Sequence, residues 1–313
     1  MFESKIIKPI FIVGVPRSGT TIMYRILCLH PEVAWFSHED LQYWITKEKR
    51  EKLEKDFTIM KESDEKIPKT EESLFIFGPK QRNFIKGTSK LPIEAETFWQ
   101  ECFGRDYITE ISEEKKVKVV QIIQKILEKE NKKRFLNKSP QNSMRIFALR
   151  KIFPDAKFIN MVRDPRSVIS SMITRMENEG KFETGIPLRK NLKKIDYLKR
   201  KLFQNSISFD VINHYSRSYQ EITEHLNKFL NEYQNNFKNV FYEELISDPK
   251  KILQMVLDFC ELKTPSNLND IVSEISEQKT KSKKILNKEE ELKIFKIVQS
   301  SIEKMNYPYK PNI

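Results

Sequence analysis

The run FIVGVPRSGTT, Phe11 to Thr21, constrains the fold more than any other stretch. Its β-branched, apolar start reads as a short buried strand, Ile10 to Val13. The following TTIMYRILCLH places Ile22, Met23, Ile26 and Leu27 at helical spacing, and His30-Pro31 ends that helix because the residue before a proline avoids helical geometry. The join is bounded by Gly14 and Gly19 in a chain that has only 7 glycines. Glycines at such positions let the backbone take positive φ or pass closely around an anion. The helix start behind them offers free N–H groups and a positive dipole end to the same spot. A ligand-free strand-to-helix turn would need neither the guanidinium of Arg17 nor the hydroxyls of Ser18, Thr20 and Thr21.

Beyond this unit the apolar period keeps switching between strand and helix. Short strands are predicted at Arg134 to Asn137 (RFLN), Lys157 to Val162 (KFINMV) and Asn239 to Tyr242 (NVFY), each followed by a helical pattern. Longer helical patterns cover Ser112 to Lys132 and Asp210 to Tyr233, whereas Lys61 to Lys69 and Glu177 to Leu188 are polar and read as surface loops. Strands alternating with helices imply an α/β architecture, a mostly parallel sheet covered by helices on both faces and helix-rich overall. At 313 residues and 39% hydrophobic the chain can bury a substantial core. No internal repeat or composition shift divides it, so residues 1–313 are expected to form one domain.

A formal net charge of +12 invites a nucleic-acid or membrane-surface reading. The lysines of Glu114 to Arg134 and Asn287 to Met305, however, alternate with glutamates on the outward faces of helical patterns, which describes a solvated surface. No aromatic-basic face accompanies them, so no specific nucleic acid is expected. The excess charge also suits a small, multiply anionic ligand. Cys28, Cys102 and Cys260 lie far apart without metal-ligand spacing, which argues against a disulfide framework or a zinc site and fits a reducing compartment. The start MFESKIIKP is too short and polar for a signal peptide, and no apolar run reaches membrane-spanning length. Those features predict a cytoplasmic protein without a transmembrane segment.

The glycine loop has the frame of a nucleoside-triphosphate P-loop, G-x-x-x-x-G-K-[ST], but Thr20 stands where the phosphate-binding lysine belongs. With Arg17 inside it, VPRSGTT resembles the 5′-phosphosulfate loop of sulfotransferases that use 3′-phosphoadenosine 5′-phosphosulfate (PAPS). KFINMVRDPRSVISSM, Lys157 to Met172, is similar to that family's second signature, a strand that ends in arginine and leads to a helix whose serine lies eight residues on, here Arg163 and Ser171. The resemblance implies a three-layer P-loop-type fold with PAPS as co-substrate and no metal. It assigns Pro16, Arg17, Ser18, Gly19, Thr20 and Thr21 to the 5′ end of the nucleotide and Arg163 with Ser171 to its 3′-phosphate. A strand-end guanidinium binds phosphate bidentately, and a hydroxyl two turns along the next helix adds a further bond. Taken alone, Arg163 fits a salt bridge to Asp164 as well.

Further segments extend the likeness. FLNKSPQNSMRIFALRKIFPDAKF resembles the family's Lys-[ST]-Pro segment, in which the lysine, here Lys138, reaches the sulfuryl group. VFYEELISDPKKILQMVLDFCEL resembles a strand-helix unit of bacterial members and of tyrosylprotein sulfotransferases, placing Tyr242 near the adenine. KSKKILN, with Lys284, stands where a late basic segment closes over the nucleotide phosphates in the family. Sulfuryl transfer also needs a base for the acceptor's proton. HPEVAWFSHED resembles the stretch supplying a glutamate in tyrosylprotein sulfotransferases, which points to Glu39 or, one residue earlier, His38. Glu94 in LPIEAETFWQECF is a second candidate.

The acceptor is not specified by the sequence: a small molecule, lipid, glycan or peptide all fit, and the oligomeric state is equally open. Trp35, Phe36, Tyr43, Trp44, Phe98 and Trp99 suit either an apolar acceptor pocket or the core. Two other classes compete with the sulfotransferase reading. A divergent P-loop kinase or NTPase would need magnesium and a displaced lysine, and a basic nucleic-acid-binding protein would rest on charge alone.

Overall fold

A computed structural model describes residues 6–37, 40, 43, 92–104, 110–179, 210–276 and 286–308. Five strands form one sheet: β1 (Ile10–Val13), β2 (Val33–Trp35), β3 (Arg134–Lys138), β4 (Lys157–Val162) and β5 (Phe237–Phe241). Their order is β2-β3-β1-β4-β5, and every neighbouring pair is parallel. β1 is central, with Ile12 opposite Lys138 on one side and Ile159 on the other. The chain visits β2 and β3 on one side of β1 before crossing to β4 and β5. The order thus reverses beside β1, and it is at the carboxyl ends of the strands at such a point that open parallel sheets bind ligands.

Alternation along the strands divides the core into two faces. Ile10, Ile12, Leu136, Ile159, Met161 and Val240 pack with α1 (Thr20–Cys28), α8 (Pro249–Cys260) and α9 (Leu268–Ser276). Phe11, Val13, Phe135, Phe158, Val162 and Phe237 point the other way. They meet α2 (Glu96–Phe103), α3 (Glu113–Glu130), α4 (Ile146–Ile152), α5 (Pro165–Glu179), α6 (Val211–Glu232) and α10 (Lys288–Lys304). One short helix, α7 (Tyr242–Ser247), follows β5 directly. Helices on both faces of a parallel sheet make the expected three-layer α/β fold. Phe11 lies at the centre of the second face, 5.6 Å from the Phe158 ring and 6.2 Å from Trp99. Each such fully buried side chain contributes about 1.5–3 kcal/mol relative to exposure.

Several boundaries move relative to expectation. β3 reaches Lys138, one residue beyond the predicted strand. β5 runs from Phe237 to Phe241, and Tyr242 opens α7 instead of ending the strand. The strand-helix unit after it is two helices, because Asp248 caps a new one through Lys251 N and Pro249 takes its first position. β2 was not anticipated. Glu177 to Glu179 belong to α5 instead of a loop; residues 180–188, and the loop at 61–69, lie outside the described residues. The charged helices behave as solvated faces: α3 buries only Val119, Ile122, Ile123, Ile126 and Leu127, and its Ser112 cap accepts from Lys115 N. Among the described residues no helix is long and apolar enough to cross a membrane, and no group of three or more His, Cys, Asp or Glu could hold a metal ion. Cys28, Cys102 and Cys260 are free and buried; burial pushes the Cys260 thiol up to about 12.

Candidate active site

Four strand ends deliver the functional segments to one edge of the sheet. β1 runs into the glycine loop. There Gly14 has φ 134°, Arg17 φ 75° and Gly19 φ 93°, all in the region that disfavours side chains. Gly14 has a second reason to lack one, because a Cβ there would stand 2.5 Å from the Met161 carbonyl oxygen of β4. The loop's entry is locked by Ser143, whose Oγ accepts from Gly14 N at 2.9 Å and donates to Gly14 O at 3.1 Å. At its exit, Gly19 O accepts from Ile22 N and Met23 N, so the amides ahead of them are those that helix geometry leaves without an intrahelical acceptor. Pro16, Ser18 and Thr20 are buried and Thr21 is exposed. The buried Ser18 Oγ has no hydrogen-bond partner among the described residues.

Arg163 directly follows β4, beside this loop. Its Nη1 donates to the Arg17 carbonyl at 3.2 Å, and its guanidinium carbon lies 4.0 Å from the Tyr242 ring centroid. Arg163 Nε is buried and has no hydrogen-bond partner among the described residues. Asp164 does not pair with it. Both Asp164 oxygens are taken by Arg166, whose Nη2 donates at 2.7 Å and Nε at 3.1 and 3.2 Å. Ser171, on α5, accepts from Arg17 Nε at 3.0 Å. The structure thus brings Arg17, Arg163 and Ser171 together, joining the two segments singled out in the sequence. A buried guanidinium nitrogen and a buried hydroxyl left open, beside helix-start amides, form a set of donors suited to an anion.

Tyr242 opens α7 directly after β5. It stacks on Arg163, and a Cβ on Gly19 would meet its Cδ2 at 2.5 Å. The ring therefore lies against the glycine loop and the arginine. Lys284, His38 and Glu39 lie outside the described residues.

At the end of β3, Lys138 is buried, 2% exposed, and its ammonium forms an ion pair with Glu94, itself 47% exposed. Behind this pair lies a polar network that sequence patterns did not reveal. The buried Asn137 donates from Nδ2 to Glu94 O at 3.3 Å, while its Oδ1 accepts from Trp99 Nε1 at 2.9 Å and from Asn142 Nδ2 at 3.1 Å. Tyr24 donates to Ile93 O at 3.1 Å; burial keeps its hydroxyl pKa well above the usual range, so it stays a donor. Arg145 clamps Glu96 with two bonds of 3.1 and 2.7 Å, and Ser139 Oγ donates to the same carboxylate. Ala95, between the two glutamates, is left-handed at φ 51°. The residues around Glu94 are thus held at successive backbone and side-chain positions. The only trace in the sequence was the polar run NKSPQNS directly after a strand.

The aromatic residues divide. Phe36, Phe98 and Trp99 are 0% exposed and belong to the core, not to an acceptor pocket. Trp35 and Tyr43 are half-buried against it, and Trp44 lies outside the described residues.

Fold and site together define an α/β protein of the P-loop type, with a glycine loop after its central strand. Residues 9–266 match the sulfotransferase family, and the chain belongs to that family. Among relatives, it is 23% identical over 259 residues to a "Putative protein-tyrosine sulfotransferase" of Caenorhabditis briggsae, covering 81% of this chain. The match spans 65% of that relative's length. The fold is shared with sulfotransferase STF9 from Mycobacterium avium, at TM-score 0.56 and 13% identity, covering 96% of this chain and 77% of that one. Sulfotransferase STF1 from Mycobacterium tuberculosis gives TM-score 0.54 and 16% identity over 98% and 78% of the two chains.

Proposed function

We propose that this sulfotransferase takes its sulfuryl group from PAPS and passes it to a hydroxyl or amine, releasing 3′,5′-diphosphoadenosine. The observation that carries the reading is the meeting of Arg17, Arg163 and Ser171 beside the glycine loop, with the buried Arg163 Nε open. An adenine nucleotide with a 3′-phosphate and a sulfated 5′-phosphate presents anionic oxygens to both halves of that cluster. The loop amides, Ser18, Thr20 and Thr21 hold the 5′ end. Arg163 and Ser171 hold the 3′-phosphate, and Tyr242 orients the Arg163 guanidinium by stacking on it.

When bound, PAPS supplies an activated sulfuryl group whose bond to the 5′-phosphate breaks as the acceptor oxygen or nitrogen bonds to sulfur. The chain's task is positioning, charge stabilisation and removal of one proton. Arg17 and Lys138 offset negative charge on the sulfuryl and the departing phosphate oxygens. Glu94 is the base we favour, since its carboxylate stands at the Lys138 ammonium. It takes the acceptor proton while the nucleotide leaves as diphosphoadenosine. Glu39 and His38 remain the alternatives for that role, and Lys284 the candidate for closing over the phosphates. The nematode relative's name directs the acceptor search first to tyrosine-containing peptides.

The test is incubation with PAPS and a panel of tyrosine peptides, phenols, sugars and amines, following 3′,5′-diphosphoadenosine and sulfated product by chromatography. The two should appear in equal amounts. ATP turnover with magnesium in place of PAPS turnover would return the protein to the kinase class.

A further inference from the structure

Arg163 is supported from behind by Tyr219, Glu243 and Tyr307, of which Tyr307 lies beyond the family match. Its own carbonyl accepts from Tyr219 Oη of α6 at 3.1 Å. The next amide, Asp164 N, donates to Glu243 Oε1 of α7 at 3.1 Å. Glu243 in turn accepts the hydroxyl of Tyr307, which lies past the end of α10 and packs edge-on to Phe241 at 5.6 Å. Met305, at the end of α10, has its carbonyl bound by Asn239 of β5 at 3.4 Å, and Asn239 is bound by Asn160 of β4 at 2.9 Å. Arg166 links Asp164 to Glu291 of α10, at 3.6 Å from the latter. The peptide between Arg163 and Asp164 is therefore held at both its carbonyl and its amide. One holding group, Glu243, is fixed by a residue beyond position 266, where the family match ends.

We infer that Glu243 and Tyr307 are positioning residues for the 3′-phosphate: they fix the Arg163–Asp164 peptide so that the Arg163 guanidinium stays aimed at that group. This rests on the reading that Arg163 binds the 3′-phosphate. The carboxylates themselves do not oppose the anion directly, since Asp164 is neutralised by Arg166 and Glu243 is engaged by an amide and a hydroxyl. Burial beside these carboxylates raises the Tyr219 and Tyr307 pKa values, so both remain protonated donors across the usable pH range. Loss of the support leaves Arg163 charged but free to turn on the end of β4. The site then loses its preference for a 3′-phosphorylated nucleotide more than its affinity for nucleotide in general.

The experiment titrates the full chain and its variants with 3′,5′-diphosphoadenosine and with ADP, and reads the dissociation constant for ADP divided by that for diphosphoadenosine. Glu243→Ala should lower that ratio about tenfold, the scale of one lost charged hydrogen bond, with ADP affinity changed less than about twofold. Glu243→Gln keeps an acceptor for Asp164 N and should recover most of the ratio. Tyr307→Phe, which removes one hydroxyl from an otherwise intact fold, should lower it about threefold. A general loss of structure would weaken both nucleotides together and leave the ratio unchanged. An unchanged ratio in Glu243→Ala and Tyr307→Phe, with the parent protein still preferring the 3′-phosphate, overturns the inference. A parent protein with no such preference overturns the nucleotide reading itself.

Discussion

Arg17 Nε donates to Ser171 Oγ at 3.0 Å, tying the glycine loop to a helix that begins beyond the end of β4. The two ends of the proposed nucleotide site are therefore coupled. Arg17→Ala and Ser171→Ala should each weaken 3′,5′-diphosphoadenosine, and the double variant should be less damaged than the sum by about 1 kcal/mol, as for groups in direct contact. Calorimetric titration of the four proteins measures the coupling. Additive losses would mean that the two side chains meet the ligand separately.

Glu94 carries the prediction for the chemical step. A base acts on the acceptor's proton and not on the nucleotide, so Glu94→Gln should leave diphosphoadenosine affinity nearly intact and lower single-turnover rate by roughly 10²- to 10⁴-fold. Glu39→Gln should have the smaller effect. If the order is reversed, Glu94 serves only to hold Lys138. If neither variant loses more than a few fold, His38 becomes the base, and the parent rate should then fall as pH drops through the imidazole range, because a protonated ring cannot accept a proton.

The polar network behind Glu94 makes a stability prediction. Arg145 and Glu96 are mostly buried and joined by two hydrogen bonds, so Glu96→Ala leaves a buried guanidinium short of its counter-charge. The cost should be about 3 kcal/mol. Disrupting the exposed Lys116–Glu113 pair, with an acid 80% exposed, should cost less than about 0.5 kcal/mol. Urea unfolding of the two variants distinguishes them, and equal midpoints would show that the network adds nothing to the fold.

Much of the architecture was legible because it follows from alternation and glycine placement. β1 and β4 stand where the apolar runs are, and Gly14 and Gly19 supply positive-φ backbone that favours glycine. β2 escaped notice because Val33–Trp35 is three residues long and follows a proline-ended helix, leaving no period to read. β5 was displaced by Tyr242, an aromatic that continues a strand pattern but opens a helix packed on Arg163. Phe36, Phe98 and Trp99 illustrate another limit: periodicity gives the side of an element a residue occupies, not whether that side meets core or crevice. Asn137 shows the sharpest one. Its role arises from two partners distant in the chain, Trp99 and the Glu94 carbonyl, joined by the nearby Asn142, and the distant pair leaves no local pattern.

We propose that this fold reads a 3′-phosphorylated adenine nucleotide through Arg163 and Ser171. The most direct measurement is calorimetric titration of the parent protein and of Arg163→Ala with 3′,5′-diphosphoadenosine, ADP, and ATP with magnesium. The parent should bind diphosphoadenosine far more tightly than either of the others. Arg163→Ala should lose about 2 kcal/mol of that affinity, roughly thirtyfold, the worth of a charge-assisted phosphate contact. Equal or tighter binding of ATP with magnesium by the parent, or an Arg163→Ala protein that keeps the full preference for the 3′-phosphate, would contradict the account.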